Sequence, residues 1–214
     1  VTVGAVVVAP GPGEALADAA GRTAVRRIVE TAWAGGALPI VVVVGDDEGA
    51  VADELAGSDG SIVEPSSAPG RSPVAAGSAA AVERIGETDA VLVWPARHAW
   101  VDAETITSLI EAHGIDPDRP LRPTWQSTPG WPILVPLAVL GQLGADVDLD
   151  GLPAALGDGP AAPRMIDLGD PGVVIDIGTP LDAIPAYLGP PEPLAPPPDR
   201  DAAAAQDLDA RSPA

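Results

Sequence analysis

The sequence contains no cysteine, no lysine and no phenylalanine, and only two histidines, His98 and His113. Without cysteine there is no disulfide framework, no thiolate metal site and no thiol nucleophile. Two histidines are too few for a histidine-rich metal centre. The eleven basic residues are all arginine, so each fixed cation is a planar guanidinium rather than a compact, adaptable ammonium. Aromatics are scarce, which leaves Val, Leu, Ile and Ala to fill the core. No apolar run approaches the roughly 20 residues of a bilayer span. The apolar N-terminal stretch has no basic residues before it, so a signal peptide is not expected either.

What is abundant is acid. The formal net charge is −20 over 214 residues. Residues 190–214 hold five acids and two arginines, so the body before them still carries −17. Such a surface repels phosphate backbones and anionic lipid, so neither nucleic acid nor membrane is an expected partner. A cytoplasmic protein is expected. From Pro190 the chain is rich in Pro, Ala and Asp, and reads as a disordered tail after one domain over 1–189.

Within 1–189, short β-branched runs alternate with helical patterns. "VGAVVVAP", "PIVVVVGDD", "SIVEP" and "DAVLVWP" read as strands, buried where the run is continuous. "RTAVRRIVETAWAGG" places Ala24, Val25, Ile28, Val29 and Ala32 on one helical face. "EGAVADELAG" and "SPVAAGSAAAVERIG" read as helices. "DAETITSLIEAHG" has an Asp102 N-cap and Gly114 as its expected stop. After Gly114, two short strands, a loop and a short helix are expected. Two more strands then follow, with a final helix capped by Thr179 and opened by Pro180. Repeated strand–helix alternation specifies an α/β fold, with a mostly parallel sheet covered on both faces.

Ligands of such sheets sit at the carboxyl ends of the strands. The first of these ends is "VVVAPGPGEALADAAGRT" (Val6–Thr23), a strand running into a glycine turn. Gly11 and Gly13 suit a phosphate cradle, but Leu16 stands where a dinucleotide fingerprint has its third glycine. Arg22 is too far from Gly13 for a P-loop, and Pro10 and Pro12 remove two N–H donors. On the residues alone, both a phosphate cradle and an ordinary tight turn stand open.

Over residues 3–188 the chain resembles the MobA-like NTP transferases, in particular the molybdenum cofactor cytidylyltransferases and guanylyltransferases. "VAPGPGEAL" lies over the start of that family's L-A-A-G-x-G-x-R-M-G-x-x-K loop, and "AVLVWPARHAWVDAET" over its A-V-L-V-L-L-G-D-Q-P-L-V-T-P-E-T strand end. "GWPILVP" (Gly130–Pro136) lies over G-H-P-V-L-F, and "DPGVVIDIGTPLD" (Asp170–Asp182) over D-P-G-V-L-x-D-I-D-T-P-E-D. The resemblance implies a nucleotide-diphosphosugar transferase type of fold, Rossmann-like and mixed but mostly parallel. It further implies a nucleotide loop at Ala9, Pro10, Gly11, Pro12 and Gly13, with Mg²⁺ and CTP or GTP as the family's cofactor and substrate. A metal and acceptor site is implied around Arg97, His98, Trp131, Asp176 and Gly178.

The departures fall on the charged parts. Ala15 takes the loop's arginine position, and the shortened stretch before Arg22 removes its lysine. Arg97 lines up with the metal-binding aspartate, and Gly178 with the second aspartate of D-I-D-T-P, while Asp176 remains. A guanidinium about 6 Å from a divalent ion, at an effective dielectric of about 20, opposes it by roughly 5 kcal/mol. The expectation is therefore a diverged, pseudoenzyme-like member. It binds a nucleotide, with Arg97 and His98 taking an anion directly, and serves a protein partner in cofactor maturation. Two alternatives stand beside it. One is an active transferase moving CMP or GMP to a phosphorylated acceptor such as molybdopterin. The other is a structural subunit docking through Trp94, Trp100, Trp125 and Trp131, residues that suit core packing equally. Asp46, Asp170 and Asp176 are candidate metal ligands, or else helix caps and solvated acids.

Overall fold

The computed structural model describes residues 1–46, 48–63, 71–157 and 162–189. The tail expected over 190–214 lies outside them. The elements in chain order begin β1 (Val3–Val8), the one-turn α1 (Pro12–Ala15), α2 (Ala24–Ala34), β2 (Ile40–Val43) and α3 (Ala50–Leu55). Next come β3 (Gly60–Val63), α4 (Pro73–Arg84), β4 (Ala90–Pro95) and α5 (Ala103–Ile115). The last part holds β5 (Leu121–Trp125), β6 (Thr128–Pro129), β7 (Ile133–Pro136), α6 (Leu137–Leu143), α7 (Leu152–Leu156) and β8 (Arg164–Asp167).

Among the described residues these strands form one sheet, ordered β3-β2-β1-β4-β7-β5-β6, with β8 paired to β5. The first four strands, β3 to β4, run parallel. Antiparallel β7 turns the sheet, since it returns beside β4 through a pairing of Ala90 with Pro136 and Val93 with Ile133. The α/β class is as expected, mixed but mostly parallel.

The period of two along each strand builds two cores. Val3, Ala5, Val7, Leu92 and Trp94 face one side, beneath α2, α3 and α5. Val6, Val8, Val91, Val93 and Ile133 face the other, beneath α4, α6 and α7. The expected face of α2 is the buried one: Ala24, Val25, Ile28, Val29 and Ala32. Thr23 caps this helix by accepting from the Arg26 N–H. In α4 the small-residue composition has a use, because a Cβ on Gly77 would overlap Val6 and hold the helix off the sheet.

Three expectations are corrected. Helix α5 runs through Gly114 and ends on Asp116, so that glycine is not its stop. Among the described residues no second strand follows β8; Pro171–Val173 forms a 3₁₀ turn capped by Asp170. A Cβ on Gly172 would overlap the Trp100 carbonyl, so the chain lies against the β4–α5 connection instead of running beside a strand. The final helix is only the 3₁₀ turn Leu181–Ala183, whose N-cap is Pro180, while the Thr179 N–H bonds the Asp176 carbonyl. The helix α7 was not anticipated. No described helix is long and apolar enough to cross a membrane.

Candidate functional site

The parallel strands bring two connections together. Val8, the last residue of β1, pairs with Pro95 at the end of β4. The Ala96 N–H donates to the Val8 carbonyl at 2.9 Å, which draws the Arg97–Ala99 turn against the glycine loop. A third segment crosses from the far end of the chain. The Ile177 N–H donates to the Arg97 carbonyl at 2.7 Å, and the Trp100 indole N–H to the Asp176 carbonyl at 3.3 Å. The strap is anchored at Asp170, whose buried carboxylate accepts from the Asp102 N–H, the Thr105 hydroxyl and the Gly172 N–H. Burial nonetheless pushes the Asp170 carboxyl up, against those three bonds. Asp170 is thus a cap and brace. Asp46 is likewise a cap, accepting from the Val51 and Ala52 N–H groups of α3.

Within the glycine loop the donors are few. The Ala9 N–H is spent on the Val43 carbonyl, and Pro10 and Pro12 have none, which leaves Gly11 and Gly13. The loop closes into α1, with the Ala15 N–H on the Gly11 carbonyl and the Leu16 N–H on the Pro12 carbonyl. Arg22, the nearest following cation, pairs with Glu30 of α2, which Arg26 also meets at 3.3 Å.

Glu14, in α1, is the residue that sequence reasoning missed. It is half-buried, its Oε1 is buried without a hydrogen-bond partner, and burial pushes its carboxyl up. The Arg97 guanidinium and backbone N–H oppose that shift, while Asp176 and Asp150 reinforce it. These four side chains therefore share one field. Arg97 makes its ion pair with Asp150 at 3.7 Å, across the opening to solvent. Asp150 and Arg122 were also missed; both come from the part of the chain where the strand–helix rhythm breaks, and only the fold brings them here. Glu14 was visible beside Gly13, but no spacing rule singles it out.

His98 lies under this cluster with 8% of its surface exposed and its Nδ1 unpartnered. Burial first, then the Arg97 charge, pushes its pKa down to about 4, against Asp176 and the Ile175 carbonyl. The imidazole is therefore neutral at pH 7, and toward an anion it offers a ring N–H rather than a charge. Its ring lies 6.4 Å from that of Trp131. The Arg122 guanidinium stands 5.7 Å from the Trp131 ring and donates through Nε to the Gly130 carbonyl. Arg97, His98, Trp131 and Asp176 are thus brought together, with Gly178 donating to Asp176 Oδ1 at 2.9 Å. The tryptophans form no exposed face: Trp94, Trp100 and Trp131 are buried and Trp125 is half-buried. Trp33, outside that segment, is the exposed one at 55%.

A sheet with parallel β1, β2 and β4, antiparallel β7 beside them and a glycine loop after β1 defines a nucleotidyltransferase fold. The chain belongs to the MobA-like NTP transferase domain family, whose model matches residues 11–160. Solved structures share the fold. Rv0371c from Mycobacterium tuberculosis H37Rv is 18% identical with a TM-score of 0.61, over 78% of this chain and 88% of that one. A second structure of Rv0371c is a complex with manganese, with a TM-score of 0.60, 18% identity, and coverage of 78% and 89%. The 4-diphosphocytidyl-2C-methyl-D-erythritol synthase from Anaerococcus prevotii DSM 20548 is 14% identical with a TM-score of 0.58, over 85% and 92%. No curated protein matches the sequence.

The family implies Mg²⁺ at this edge. Mg²⁺ requires an octahedron of oxygens and is usually held by one or two carboxylates. Among the described residues, no three His, Asp or Glu side chains converge to hold a metal ion. At the end of β4 the chain supplies a guanidinium already engaged by Asp150. A guanidinium at the position where the family's motif has a carboxylate does not fit the ion.

Proposed function

We propose that this protein is a nucleotide-binding member of the family in which metal-dependent nucleotidyl transfer has been lost. The observation that supports this reading is Arg97. It stands where the connection after β4 meets the glycine loop, and the acids around it are turned to a guanidinium. Transfer of a nucleotidyl group depends on positioning and on charge stabilisation of the phosphates. The loop retains Gly11 and Gly13 for positioning, while Arg97, after β4, and Arg122, within β5, supply fixed positive charge. An accessory role beside molybdenum cofactor maturation, with a protein partner in the cytoplasm, belongs to the same proposal and draws on family membership alone.

The test is calorimetry with CTP and GTP, in Mg²⁺ and in EDTA, coupled to an assay for pyrophosphate. Binding that is indifferent to Mg²⁺, with no pyrophosphate released, is the expected result. Mg²⁺-dependent tight binding with pyrophosphate release over a phosphorylated acceptor would establish the active transferase instead. Arg97→Asp should raise Mg²⁺ affinity at this edge, and an unchanged affinity would remove Arg97 from the argument.

A further inference from the structure

The charges at the carboxyl edge decide what kind of nucleotide can enter. Resting on the nucleotide-site reading above, we propose that Glu14 and Asp150 make the site favour singly phosphorylated nucleotides over triphosphates by charge. Glu14 follows Gly13 directly in α1 and lies within the field of Arg97, so phosphates lying along Gly11 and Gly13 meet a half-buried carboxylate beside the loop. Its Oε1 is buried without a hydrogen-bond partner. Asp150, at 82% exposure, holds the solvent side of Arg97 and must be displaced or approached by any anion that reaches the guanidinium. Asp176 adds a third carboxylate to the same field.

Against these stand two guanidiniums, and Arg122 is committed to the Trp131 ring and the Gly130 carbonyl. The lysine-free sequence offers no flexible cation to reach further phosphates. A triphosphate carries roughly twice the charge of a monophosphate, and the added charge meets the exposed Asp150 and Asp176 and the half-buried Glu14, where salt screens less well. A monophosphate can satisfy the free edge of Arg97 and the loop N–H groups without extending along Glu14.

The experiment is calorimetry on the full chain in EDTA at neutral pH, comparing CMP with CTP and GMP with GTP. The monophosphates are expected to bind roughly ten-fold tighter. Glu14→Gln and Asp150→Asn should each narrow that gap and together close most of it, whereas Asp146→Asn, an equal charge change at an exposed neighbour, should leave it. Because Asp150 is exposed, its variant tests the idea even if Glu14→Gln fails to fold, which thermal melting would reveal. A triphosphate that binds the unmodified protein as tightly as its monophosphate overturns this inference and leaves the nucleotide site standing. A gap that responds equally to Asp146→Asn also overturns it. No binding by any of the four nucleotides overturns the nucleotide-site reading and this inference with it.

Discussion

The two ends of β4 each hold one of the two histidines, and they differ in a way the net charge of −20 conceals. His98, at the carboxyl end, and His113, beside Asp89 at the amino end, are both buried, at 8% and 1% exposure. Burial is the first cause that lowers the pKa of each. The second cause has opposite signs. At His98 it is Arg97, which lowers the pKa further; at His113 it is Asp89, which raises it. At the edge where ligands of this fold bind, the charge that acts most strongly on the histidine is thus a cation. A histidine in the last turn of α5, with both ring nitrogens unpartnered, is instead surrounded by the carboxylates typical of its surface. Overall charge predicts the second environment and misses the first.

The comparison can be broken most forcefully at the strand that joins the two ends. Trp94→Ala empties a fully buried site on β4 and removes the indole N–H that donates to the His98 carbonyl. It should cost about 3–5 kcal/mol in chemical denaturation and loosen both histidines. Asp170→Ala should cost about 3 kcal/mol in the same assay, since three donors lose a buried charged acceptor. Its effect should be confined to the strap and the start of α5, so hydrogen exchange near His113 should change least.

Acid is the next lever. A histidine whose folded pKa is lowered contributes stability that is present above its unfolded pKa near 6.5 and lost as pH falls toward the folded value. For His98, with a folded pKa of about 4, moving from pH 7 to pH 5 should cost roughly 2 kcal/mol. His98→Asn should flatten that slope, and a slope that survives the change would assign it to His113. The smallest expected effect sharpens the contrast best. Salt screens Arg97 at His98 and Asp89 at His113, so added salt should move the two pKa values in opposite directions, up and down. Proton NMR titration of the two imidazoles measures this, and shifts of the same sign would refute the difference drawn between the ends.

Much of the fold could be read in advance because its signals are local. The β-branched runs of β1, β2 and β4, the five-residue face of α2 and the Asp102 cap each depend on neighbours within a few positions. The segment after β8 misled for the opposite reason. "VVIDI" has the composition of a strand, but Asp170 and the contact of Gly172 with Trp100 bend it, and both are contacts across about 70 residues. The candidate site divides the same way. Arg97, His98, Trp131 and Asp176 were marked by their alignment with family motifs, and the structure gathers them. The partners that set their charge, Glu14, Asp150 and Arg122, had no such mark. Their relation to Arg97 and His98 exists only once three distant connections share an edge.

The hydrogen bond from the Ile177 N–H to the Arg97 carbonyl involves no side chain at all. Position 97 is accordingly a socket: main chain from the strap and from β1 holds it in place whatever side chain it bears. A single substitution can change the sign of the charge presented there while the scaffold stays as it is. Gain or loss of acidic chemistry at this edge is then a short evolutionary step, and the intact frame around Arg97 keeps that step open in both directions.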